Sequence, residues 1–81
     1  MNVEQIEKII NSIINDFDGI GDSDGCMEKI KEFLKECNIT DFKVLCDDDV
    51  FNSCGYDIEY VMVAWNDKEG LHLFGGRCDR Y

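Results

Sequence analysis

Proline is absent from the 81 residues, histidine and tryptophan occur once each, and only 8 basic residues stand against 18 acidic ones. With no proline and no Ser-rich stretch there is no linker, and no internal repeat appears, so the length fits a single domain over residues 1–81. One histidine excludes the paired-histidine metal motifs. No run approaches the ~18 consecutive apolar residues of a membrane span. The opening residues Met1-Asn2-Val3-Glu4 lack the basic and apolar regions of a secretory signal, which makes the cytoplasm the expected compartment. Missing too are the phosphate-cradling G-x-x-x-x-G-K-S/T, the dinucleotide G-x-G-x-x-G and the serine elbow. An enzyme is therefore not expected.

What the chain has is negative charge, a net of −10, and apolar residues at 44%, enough for a folded core. The charge is uneven. Residues 1–28 carry seven acids and one base, and residues 47–69 again seven acids and one base; the segments 29–46 and 70–81 each come to +1. A surface of this sign repels phosphate, so direct binding to nucleic acid or an anionic membrane is not expected. It attracts basic surfaces, and the large basic surfaces of cells are mostly nucleic-acid-binding sites. The plainer account is that the charge keeps a small protein soluble.

Val3, Ile6, Ile10, Ile13 and Phe17 recur at helical spacing, with Ile9 and Ile14 widening the stripe. Asn2 and Gln5 have the spacing of a capping box, and Gly19 is a natural stop, which predicts a helix over residues 3–18. After the loop Asp18–Gly25, Ser23 or Asp24 can cap a second helix with the stripe Met27, Ile30, Phe33, Leu34 and Cys37, ending at Asn38. Phe42–Cys46 reads as a short strand, Tyr56–Trp65 as a long one, and Leu71–Phe74 as the return of a hairpin looped through Asn66–Gly70. On the long strand Tyr56, Ile58, Tyr60, Met62 and Ala64 share one face, and Asp57, Glu59, Val61, Val63 and Trp65 the other. That second face turns apolar, which predicts a central strand with its far half covered on both sides. The expected fold is α+β, α-α-β-β-β, with two N-terminal helices packed on one face of a three-stranded antiparallel sheet.

Five cysteines, Cys26, Cys37, Cys46, Cys54 and Cys78, include no C-x-x-C pair. Structural zinc sites take closely spaced ligand pairs, and an odd count leaves one thiol over in a disulfide framework. Buried thiols acting as small hydrophobes account for Cys26, Cys37 and Cys46. Cys54 is the expected exposed thiol, and His72 a half-buried strand histidine. Asp16 to Asp24 begins like an EF-hand loop but has Ile20 at the fifth position and Met27 at the twelfth, where a bidentate Glu is needed. No cofactor or metal follows.

Two functional readings remain. In the first, Asp16, Asp18, Asp22 and Asp24 form one acidic group and Asp47, Asp48, Asp49, Asp57 and Glu59 a second. Together they mimic the phosphates of DNA and inhibit a basic nucleic-acid-binding enzyme or nuclease complex, with Tyr56, Tyr60 or Trp65 as an aromatic anchor. In size and charge the chain resembles the small acidic inhibitors of bacteria and phages, namely immunity proteins against nuclease toxins and phage proteins that block restriction or CRISPR nucleases. That resemblance is one of gross properties and rests on no motif. In the second reading the cysteines, with or without His72, serve a cytosolic metal- or thiol-handling protein. The chain is expected to be a monomer or homodimer; in the latter case, or in a larger assembly, the face of Val61, Val63 and Trp65 is the expected contact.

Overall fold

The computed structural model describes residues 2–18, 20, 22–47 and 57–80, with backbone alone at 47, 57–59 and 77–80. Two helices, α1 (Val3–Asp16) and α2 (Ser23–Glu36), precede three strands, β1 (Phe42–Asp47), β2 (Asp57–Asp67) and β3 (Gly70–Arg80). The strands form an antiparallel meander in the order β1-β2-β3, which is the α-α-β-β-β layout expected from the sequence.

Helix α1 starts with a reciprocal cap. The Gln5 amide donates to Asn2 Oδ1 at 2.9 Å, and the Asn2 amide donates to Gln5 Oε1 at 3.0 Å. The helix ends at Asp16, two residues short of the expected limit; Gly19, the expected stop, lies outside the described residues. For α2 the cap is Asp22, and neither Ser23 nor Asp24 fills that role. The Asp22 carboxylate accepts from the Gly25 amide at 3.0 Å, while Ser23 and Asp24 fall inside the first turn. The far end of α2 closes as a Schellman motif. Asn38 adopts φ +62°, its amide donates to the Lys35 carbonyl, and the Ile39 amide donates to the Leu34 carbonyl, each at 3.0 Å. Ile39 is buried beside Leu34, which supplies the apolar contact that accompanies such a cap.

Both helices lie on one face of the sheet, α1 over β3 and α2 over β1. The core between the layers is built from Ile6, Ile10, Ile13 and Ile14 of α1, Cys26, Ile30 and Leu34 of α2, and Val44, Val61, Val63 and Trp65 of the sheet. Val61, Val63 and Trp65 are thus the helix-facing side of β2, and they are not available as a contact surface. The strand is central, as expected, but among the described residues it is covered on one side only. Two helices of one apolar face each can cover one sheet face, and no further described element lies over the other.

The β2–β3 hairpin turns through Lys68 and Glu69, tighter than the expected loop over residues 66–70. Gly70 follows at φ +116°, a conformation L side chains rarely adopt. Beyond it β3 runs unbroken through Gly75 and Gly76 to Arg80.

Candidate functional site: an acidic end and an open sheet face

Direction along the sheet places the charged residues. Asn2, Val3, Asn38 and Asp41 line one depression with Asn66–Glu69, so the start of α1, the end of α2 and the β2–β3 turn share one end of the molecule. The opposite end therefore holds the α1–α2 connection, the end of β1, the start of β2 and the end of β3. Contact confirms this: Ile14, in the last turn of α1, lies against Gly76, which pairs with Val61, which pairs with Cys46.

Asp16, Asp18, Asp22 and Asp24 follow that last turn, and all four are exposed. Asp47 follows Cys46 directly. Asp57 and Glu59 lie further out, because the β2–β3 ribbon continues four residue pairs past Val61 and Gly76. An 11-residue strand spans about 33–36 Å against about 20 Å for a 14-residue helix, which accounts for a longest dimension of 42 Å. Seven of the nine acidic residues singled out in the sequence thus belong to one end. The other two, Asp48 and Asp49, lie outside the described residues. The same end also receives two cations the sequence reading did not foresee, since Arg80 pairs with Asp57 and Arg77 with Tyr60 along the ladder.

Local electrostatics differ between the helix ends there. Asp22 and Asp24 sit at the positive end of the α2 dipole, which favours them. Asp16 stands at the negative end of α1, whose last turn has no basic residue. Charge of this sign at this position opposes the helix and serves no local purpose.

At the turn end, the only histidine is committed to the hairpin. His72 Nε2 lies 2.9 Å from Asp67 Oδ1, and the Glu69 amide donates to the same oxygen at 2.8 Å. The His72 hydrogen bond and then the Glu69 amide hold the Asp67 carboxyl below its ordinary value. The His72 ring stacks at a tilt on Trp65, 5.4 Å between centroids. Trp65 itself is buried with its indole N–H unpaired, so it is no anchor for a partner. Tyr60 is exposed and fits that role; Tyr56 lies outside the described residues.

Of the cysteines, Cys26 is buried in the core, and Cys37 and Cys46 are half-buried free thiols. Burial pushes the Cys37 thiol up, away from the thiolate that metal binding or nucleophilic attack requires. Cys54 lies outside the described residues. Among the described residues no three His, Cys, Asp or Glu side chains converge as a metal site. No helix among them is long and apolar enough to cross a membrane.

The sheet face turned away from the helices, on which the sequence places Tyr60 and Met62, is open where the sequence predicts cover. Leu45 of β1, Tyr60 and Met62 of β2, and Leu71 and Leu73 of β3 are 42–71% exposed on it. A groove of about 410 Å³ runs beside them with Lys43 at its rim. The alternation Leu71-His72-Leu73 was the available signal: with His72 against Trp65, both leucines must face outward.

No protein-family model matches the chain, and no curated protein or solved structure matches it.

Proposed function

We propose that the protein is a non-enzymatic, acidic protein-binding module of the cytoplasm that inhibits a basic nucleic-acid-binding enzyme by occupying its nucleic-acid site. The observation that carries this reading is the meeting of both acidic groups at one end of the fold. Charge gathered in this way strengthens the field on one approach direction, although the turn end is acidic too, with Glu36, Asp41, Asp67 and Glu69 about its depression. A groove shaped for phosphates meets the carboxylates of Asp16, Asp18, Asp22 and Asp24 on one side. On the other it meets the strand ends that carry Asp47, Asp57 and Glu59, with Asp48 and Asp49 between them in sequence. Exposed Tyr60, in the same part of β2, adds the apolar contact that charge alone lacks.

The test is capture from a nuclease-treated bacterial lysate at about 50 mM and about 500 mM salt, a range over which the screening length falls from roughly 13 Å to about 4 Å. The expected result is one basic nucleic-acid-binding enzyme, retained at low salt, released at high salt and displaced by added DNA. Absence of any basic protein at either salt removes the reading.

A further inference from the structure

We infer that the outer edge of β3 takes an extended segment of a basic protein, added antiparallel as a fourth strand, with basic side chains toward α1 and apolar ones on the open sheet face. One hydrogen bond sets which main-chain groups that edge offers. The Asn66 amide donates to the Asp41 carbonyl at 2.9 Å, on the β1 side of β2. Successive residues of a central antiparallel strand bond to opposite neighbours, so Trp65 and Asp67 bond toward β3, to their partners His72 and Gly70. Leu71, Leu73 and Gly75 therefore turn N–H and C=O away from the sheet, where no described strand meets them.

Folded chains blunt such an edge by keeping it short, or with lysine, proline or a bulge. The other edge strand, β1, has six residues and bears Lys43. β3 has eleven, with neither lysine nor proline, and pairs with β2 in unbroken register. A long, unblunted edge is the template that strand addition uses.

The surroundings of the edge select the occupant. Side chains of an added strand alternate, one row toward α1 and the other on the open face. On the helix side a cleft of about 450 Å³ opens between Phe74 and Glu4, Glu7, Lys8 and Asn11. Two carboxylates against one ammonium, in a chain of −10, favour basic side chains there. On the open face the added row joins exposed Leu71 and Leu73, which favours apolar residues. The occupant is thus a segment of alternating basic and apolar residues. A second copy is disfavoured, since two chains of −10 repel. This surface is distinct from the acidic end and does not rest on the function proposed for it.

The probe is the peptide Lys-Val-Lys-Val-Lys-Val-Lys, with its Glu-for-Lys counterpart as control, added to the isotopically labelled full chain. Amide hydrogen exchange is the readout. The lysine peptide should protect the Leu71, Leu73 and Gly75 amides, and the glutamate peptide should not. Directly opposed residues share a face, so in the antiparallel arrangement the valines carry the N–H groups that meet β3. N-methylation of the valines should abolish protection, and N-methylation of the lysines should leave it intact. Leu73→Pro removes an outward N–H and no ladder bond, so circular dichroism should be unchanged while peptide affinity falls roughly tenfold. Glu4→Gln with Glu7→Gln should weaken the peptide several-fold. Absence of protection at about 1 mM peptide, an affinity too weak to matter, overturns the inference. Equal protection by both N-methylated peptides, or by the glutamate peptide, overturns it as well. Protection that grows with the concentration of the chain alone assigns the edge to a second copy and has the same consequence. None of these outcomes bears on capture of a basic enzyme by the acidic end, so the two proposals fail separately.

Discussion

Ile14 and Gly76 touch so closely that no side chain fits between them: a Cβ on Gly76 would lie 2.9 Å from Ile14 Cδ1 and 3.3 Å from its Cγ2. This contact sets how near α1 sits to β3. Gly76→Ala should push Ile14 off its seat and cost about 1–3 kcal/mol, the usual range for overpacking a core. The neighbouring glycine is a built-in control. A Cβ on Gly75 meets Met62 Cγ and the Val61 carbonyl at an ordinary 3.7 Å on the open face. Gly75→Ala should therefore be neutral or stabilising by up to ~1 kcal/mol, through the reduced freedom of the unfolded chain. Urea unfolding of the two variants, read by Trp65 fluorescence, checks both signs.

The Schellman turn after α2 gives a second pair of substitutions. Asn38 holds φ +62°, tolerable for Asn and free for Gly. Asn38→Gly should change stability by less than ~1 kcal/mol, whereas Asn38→Val should cost about 1–2 kcal/mol, because a β-branched side chain clashes in the left-handed region. Equal effects in thermal unfolding would mean that the helix end does not depend on this conformation.

The hairpin turn carries a pH signature. The His72 imidazole and the Glu69 amide favour ionised Asp67, so its folded pKa lies below the ordinary 3.8. A group whose pKa falls on folding binds fewer protons in the folded state. Its stabilisation is complete above 3.8 and disappears as the pH drops through the lower folded value. Asp67→Asn should therefore destabilise the protein at neutral pH and reduce the wild-type loss of stability below 3.8. Denaturant titrations of both proteins at neutral and acidic pH measure it; parallel pH profiles would show that the contact contributes nothing.

Much of this fold is legible in the sequence because its signals are local. The isoleucines of α1 repeat at helical spacing, Asn2 and Gln5 stand three apart, and β2 carries an apolar run from Tyr60 to Trp65. The errors share a physical cause, which is that coverage is a tertiary property. Val61, Val63 and Trp65 form an apolar strand face, but sequence cannot say whether helices or a second protein lie on it. The same ignorance hid Leu45, Met62, Leu71 and Leu73, whose strands pair only through the register of the meander. The cap of α2 was misplaced by one or two residues because Asp22, Ser23 and Asp24 are all good capping types, and the Gly25 amide chooses between them by geometry. The acidic groups were legible one by one. Their meeting at one end follows from Ile14 reaching Gly76, a contact with no sequence signature.

Asp16 offers a test in which stability and binding should move in opposite directions. Its carboxylate is exposed at the negative end of α1, beside exposed Asp18 and with no cation in the last turn. Asp16→Lys reverses an unfavourable charge–dipole interaction and should stabilise the fold by about 0.3–1 kcal/mol at low ionic strength, an effect that added salt erodes. If the acidic end is the surface offered to a basic partner, the same substitution should weaken that complex several-fold, mainly by slowing association, since a charge at an interface rim acts on the encounter. A more stable protein that binds less well would show that Asp16 is kept for the partner at the expense of the helix. A more stable protein that binds equally well would take the end of α1 out of the proposed site, leaving Asp22, Asp24 and the strand-end acids to be tested in turn.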